Sequence, residues 1–156
     1  PSTSPGVRWI NVDGHHPWIV AQLQKNLGFH TLAAEDVLHV PQRPGTEAFE
    51  DHFFVKMRLL SVVEGELAAE QIAIFAWKHT VVTIQEHAGD AWNPLRRRLR
   101  RDNSRLRCND GTFLLYALID AVVDHGFPVL EHYSDRLELL EEAIMSVGGK
   151  LATLQE

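Results

Sequence analysis

"DHFFVKMRLLSVVEGELAAEQIAIFAWKHTVVTIQE", Asp51 to Glu86, decides the fold. β-branched and aromatic residues dominate it, and two short punctuations divide it, Glu64-Gly65 and Lys78-His79. The pattern predicts three strands, about His52–Val63, Gln71–Trp77 and Thr80–Gln85. Links this short join antiparallel neighbours, because a parallel pair needs a longer crossover.

Ahead of this block, "VRWINVDG" (Val7–Gly14) reads as a short strand ending in an Asp13-Gly14 turn. Pro17 suits the first position of a helix. Ile19, Leu23 and Leu27 repeat at helical spacing, and Gly28 stops them. Thr31 can cap a short helix running to about Leu38 that carries Glu35 and Asp36. "VPQRPGTE" (Val40–Glu47) holds two prolines and a glycine and reads as a loop.

Behind the strands, Asn93-Pro94 introduces a basic helix, Leu95–Arg101. Asp110 can cap a much longer helix starting at Gly111 or Thr112. Within it, "FLLYALIDAVVDHGFPVLE" (Phe113–Glu131) is apolar except for Asp120 and Asp124, which share a face one turn apart. Pro128 should kink this helix near Asp124. Leu130, Tyr133, Leu137, Leu140, Ile144 and Val147 form a heptad seam that asks for a partner helix. Gly148-Gly149 should break the helix and open a hairpin, with Leu151 and Leu154 keeping the phase. Residues 1–110 thus read as a sheet with helices around it, and residues 111–156 as a long helix leaving it. The fold class is α/β or α+β with a mixed sheet.

The chain has 156 residues, enough for one domain with a core. A formal charge of −6 argues against a general nucleic-acid binder. One cysteine, Cys108, excludes an internal disulfide and offers no thiolate cluster, which fits a reduced compartment. No apolar run reaches the roughly 20 residues of a bilayer span; Phe113–Val123 is too short and is broken by Asp120. A start at Pro1 rather than Met reads as a piece of a longer protein.

No catalytic pattern is present: there is no GxSxG, no glycine-rich phosphate loop and no HExxH, so nothing supports an enzyme. Nine histidines invite a zinc reading. Yet His15-His16 are adjacent, and His125 and His132 lie about two turns apart, both poor chelating arrangements. The arginines at 96, 97, 98, 100, 101, 105 and 107 could meet phosphate, but they carry no interleaved aromatics. Pairing with the acidic face of Glu131, Asp135, Glu138, Glu141 and Glu142 is the simpler expectation. The carboxylates leave two readings open. Asp120, like Glu35 and Asp36, could serve a hard divalent cation, which takes oxygen ligands and needs only one or two protein carboxylates. On composition alone, an ion pair with an arginine or a loop cap accounts for Asp120 more simply.

"EDVLHVPQRPGTEAFEDHFFVKMRLL" (Glu35–Leu60), "EQIAIF" (Glu70–Phe75), "VVTIQE" (Val81–Glu86) and "YALIDAVVDHGFPVLE" (Tyr116–Glu131) carry a resemblance. Together, and in this order, they resemble the cytoplasmic domain of the CorA family of Mg²⁺/Co²⁺ channels, from about Trp9 to about Ile144. The resemblance implies an α/β/α sandwich followed by the first arm of a helical hairpin. It implies a homopentamer on the cytoplasmic face of the inner membrane, anchored by transmembrane helices outside this chain. The family senses cytosolic Mg²⁺ between subunits. Glu35 and Asp36 match the acidic pair on one side of those sites, and Asp120 matches the helical aspartate that also contributes. An aspartate on the stalk helix, outside this chain, is the other main partner. Asp124 follows the family pattern without being expected as a ligand. The family also has strands ahead of the segment matching Trp9, so the sheet here should start without its first edge strands.

Bound Mg²⁺ would then hold a closed ring, and its loss would let the acids repel and the pore open. Two alternatives remain. The zinc-transporting ZntB branch of the same superfamily is favoured by the histidines, whereas Gln42-Arg43-Pro44 and Tyr116–Asp120 look more like the magnesium branch. A stand-alone metal-binding or scaffold module is the other.

Overall fold

The computed structural model describes residues 6–89, 91–101 and 104–153. The element order is β1 (Arg8–Asp13), α1 (Pro17–Leu27), α2 (Thr31–Leu38), β2 (Gly45–Ala48), β3 (Phe53–Val63), β4 (Glu66–Ala76) and β5 (Thr80–Gln85). There follow α3 (Asn93–Arg100), α4 (Arg105–Cys108), α5 (Gly111–Asp124) and α6 (Phe127–Thr153).

One five-stranded sheet has the order β1-β5-β4-β3-β2. β3, β4 and β5 are antiparallel neighbours, as their short links require. β1 lies parallel to β5, with Ile10 opposite Val82, so the sheet is mixed. α1 provides part of the crossover that a parallel pair needs.

Side chains alternate along each strand and so build two cores. Phe54, Ala73, Phe75, Val82 and Ile84 face α1 and α2, meeting Val20, Phe29, Ala33, Ala34 and Val37. Phe29 stacks on Phe75 at 3.8 Å between ring centroids. Val55, Ile72, Ile74 and Val81 face the other way, onto Trp92, Leu95, Leu106, Leu114 and Leu118. The molecule is therefore an α/β/α sandwich: α1 and α2, then the sheet, then α3 to α5.

Several local expectations hold for local reasons. Pro17 begins α1, and Gly28 ends it in the left-handed conformation at φ 76°. Asp110 caps α5, its Oδ1 accepting from the backbone N–H groups of Thr112 and Phe113 at 3.1 and 3.3 Å.

Others are corrected. Val40–Glu47 is not all loop, because Gly45–Ala48 pairs with β3 as an edge strand. β4 begins at Glu66, not Gln71, since pairing with β3 carries its weak Ala/Glu segment into the ladder. His30, not Thr31, is the N-cap of α2, its ring accepting from Leu32 N–H. α4 was not foreseen. The long helix is two helices separated at His125-Gly126, and Pro128 sits harmlessly in the first turn of α6.

α6 also continues through Gly148-Gly149 to Thr153, so the expected break there is absent. Two glycines lower helix propensity without forbidding a helix. Leu154 lies outside the described residues. An 18-residue window within residues 111–146 is apolar enough to cross a membrane by length and composition. Leu114, Leu115, Ala117, Leu118 and Val122 nevertheless bury against the sheet, which makes α5 a core helix. α6 packs its start on β3 and then projects, with Leu130, Leu137, Leu140 and Ile144 of the heptad seam exposed.

Candidate functional site

α2 buries Ala33, Ala34 and Val37 against the sheet. Helical spacing then leaves Glu35 pointing outward and Asp36 half-buried on the flank. Asp36 Oδ2 accepts a short hydrogen bond from Lys56 Nζ on β3. The same ammonium lies 3.4 Å from Glu47 Oε1 on the edge strand β2. The hydrogen bond to Asp36 first, and the charges of Asp36 and Glu47 with it, hold the Lys56 pKa above its ordinary value despite partial desolvation. Neither Lys56 nor Glu47 was a sequence-based candidate. The edge-strand pairing that brings Glu47 to the face of Phe54 and Lys56 is a feature of the fold alone.

Beneath α2, the buried Gln71 ties the following loop to the sheet. Its Oε1 accepts from Gln42 N–H at 2.6 Å, and Gln42 Nε2 donates to His39 O at 2.9 Å. Gln42 thus links the C-terminal end of α2 to β4.

Asp120 stands on α5, on the other side of the sheet. It is exposed and lines a cavity of about 180 Å³ with Asp124, Arg98, His125, Leu95 and Pro128. Among the described residues it has neither an ion pair nor a hydrogen-bond partner, so neither simpler expectation, an arginine pair or a loop cap, is met. Arg98 shares the cavity without pairing with it. The expected match between the arginine run and the acidic face of α6 is also absent: among the described residues Arg97, Arg98, Arg100 and Arg101 enter no ion pair. Arg96 instead lies over the Trp9 ring, 5.7 Å from its centroid.

Glu35 and Asp36 are thus separated from Asp120 by the sheet, and the three cannot meet on one ion within a single chain. Among the described residues no group of three or more His, Cys, Asp or Glu side chains could hold a metal. The histidines scatter accordingly. His52 stacks between Phe49 and Trp77, and His87 lies 3.3 Å from Glu70. Burial lowers the pKa of His15. Each acidic position can offer only part of a coordination shell. That fits Mg²⁺, which keeps several waters and takes one or two carboxylates. Asp36 already holds the Lys56 ammonium, whereas Asp120 holds no cation among the described residues.

The family of CorA-like Mg²⁺ transporter proteins matches residues 4–153. The cobalt/magnesium transport protein CorA of Thermotoga maritima is 36% identical over 140 residues, which is 88% of this chain and 40% of that protein. The chain therefore spans less than half the length of that curated relative. The soluble domain of CorA from Methanocaldococcus jannaschii superposes with a TM-score of 0.68 at 19% identity, covering 88% of this chain and 55% of that one. The ZntB cytoplasmic domain from Vibrio parahaemolyticus superposes with a TM-score of 0.61 at 17% identity, covering 88% and 56%. At these identities the two structures share the fold.

Proposed function

This chain belongs to the family of CorA-like Mg²⁺ transporter proteins, a family of ion transporters and not of enzymes, and we propose that it is the regulatory cytoplasmic domain of a divalent cation (Mg²⁺/Co²⁺) channel. In the full-length protein it senses cytosolic Mg²⁺ at interfaces between like subunits, on the cytoplasmic side of the membrane. One observation carries the reading: Asp120 is an exposed carboxylate with no counter-ion among the described residues, on the face of the sheet opposite Glu35 and Asp36. An acid left uncompensated within its own chain is suited to completing a site with a neighbouring chain.

Physically, Mg²⁺ between two such faces neutralises carboxylates that would otherwise repel, and so favours the assembled, closed arrangement. When Mg²⁺ falls, that differential binding is lost and the population shifts to the open state. Each site needs only a coupling of about 1–3 kcal/mol, because several act together. Asp120 would supply one hard oxygen ligand, Glu35 and Asp36 another partial set, and water the remainder.

Mg²⁺ protection of the full-length protein against protease tests this. Asp120→Ala and Asp36→Ala are expected to raise the Mg²⁺ concentration needed, and unchanged protection in both rejects the assignment. The sandwich is shared with a ZntB domain, so the transported ion is a separate question. Flux that prefers Zn²⁺ over Mg²⁺ and Co²⁺ would overturn the magnesium reading.

A further inference from the structure

We propose that Lys56 is a built-in cation that competes with a divalent ion for the Asp36 carboxylate, and so sets the concentration at which that half of the site fills. The proposal rests on the reading of Asp36 as a ligand and adds a residue that controls it.

Three elements converge on the ammonium. Glu47 of β2 sits directly across from Phe54 of β3, so Glu47, Phe54 and Lys56 share the face that α2 covers. Lys56 Nζ bonds to Asp36 Oδ2, lies 3.4 Å from Glu47 Oε1, and sits 5.4 Å from the Phe54 ring centroid. Its side chain is only 12% exposed, so this is a held position and not a mobile surface lysine. α2 gives a further reason for a cation here. Its last turn contains Glu35 and Asp36 but no basic residue, while the helix carbonyls there add partial negative charge.

A divalent ion reaching Asp36 meets that ammonium. The two cations repel, so Lys56 must leave Asp36 or the ion must bind through water. Both weaken the site. Glu47 makes departure feasible, because the flexible lysine stem can pass its charge to a second acceptor already beside it. Metal entry then moves Lys56 toward Glu47, and metal loss returns it to Asp36. Among the described residues Asp120 has no such substitute. Metal release therefore leaves Asp120 bare but re-neutralises Asp36, and the two halves of the site respond unequally.

The test is Mg²⁺ titration of the full-length protein, read as protection from protease, with metal-free thermal unfolding confirming that each variant is folded. Lys56→Met, which keeps the stem and removes the charge, is expected to lower the half-protecting Mg²⁺ concentration by about tenfold. Lys56→Arg, which keeps the charge, is expected not to lower it. Asp36→Asn is expected to raise it in the parent and to cancel the gain in the Lys56→Met background. If Asp36→Asn weakens protection while Lys56→Met shifts nothing or weakens it too, the competition is refuted and Asp36 stands as a ligand. Should Asp36→Asn be silent in both backgrounds, the ligand assignment fails and the competition falls with it.

Discussion

Asp36 and Asp120 stand on opposite faces of one sheet, Asp36 on α2 against a lysine and Asp120 on α5 with no cation bonded to it among the described residues. Their charges are alike, but their surroundings are not. A carboxylate bonded to a partly buried lysine is already compensated. One at the rim of an open cavity gains most from an ion arriving from outside the chain. That asymmetry shapes the expectations that follow.

Asp120→Ala should raise the half-protecting Mg²⁺ concentration of the full-length protein by at least about fivefold. Asp124→Ala, one turn away on the same cavity, should change it little. Protease-protection curves on the two variants check the contrast, and equal effects would make the pair a shared electrostatic patch.

Alkaline pH should selectively destabilise the α2–β3 contact. The Lys56 pKa is raised in the folded chain above its ordinary value near 10.5. Its contribution is therefore complete below that ordinary value and fades as pH rises through the higher folded one. Urea unfolding across the alkaline range should show a decline that Lys56→Met reduces. A decline of the same size in Lys56→Met would assign it to other groups.

Trp92→Ala should cost about 3–5 kcal/mol. Trp92 is fully buried between the sheet and α5, and its indole N–H donates to the buried Gln85 Oε1. Removing it opens a cavity and strands a polar group. Denaturant unfolding measures the loss, and a cost below about 1 kcal/mol would contradict the packing described.

Gly111→Ala should prevent normal folding. A Cβ there would lie 2.0 Å from the Trp77 carbonyl oxygen, which is backbone and cannot swing aside. The Gly111 N–H also donates to Lys78 O at 2.7 Å, pinning the start of α5 to the β4–β5 link. Soluble yield and circular dichroism report the outcome, and a native-like variant would mean that α5 can shift its start.

The sequence alone determined the features set by neighbours along the chain. Strand content from Asp51 to Glu86, the Gly28 stop and the Asp110 cap all depend on conformational preferences and hydrogen bonds within a few residues. The similarity of its segments also pointed to the CorA family. What the tertiary structure decided depends on residues far apart in the chain. β1 joins β5 across some 70 residues, and Gly45–Ala48 becomes a strand only because β3 offers it a ladder. Asp36 and Lys56 are twenty residues apart and meet because α2 folds over that face. No local pattern could reveal this, since the lysine lies in a strand whose alternation records only which face it takes. Nor could composition show that Asp120 would pair with no arginine among the described residues, although the stretch from Arg96 to Arg107 holds seven arginines. Charge can be counted in a sequence, but compensation is a matter of distance, and distance is fixed only when the layers pack.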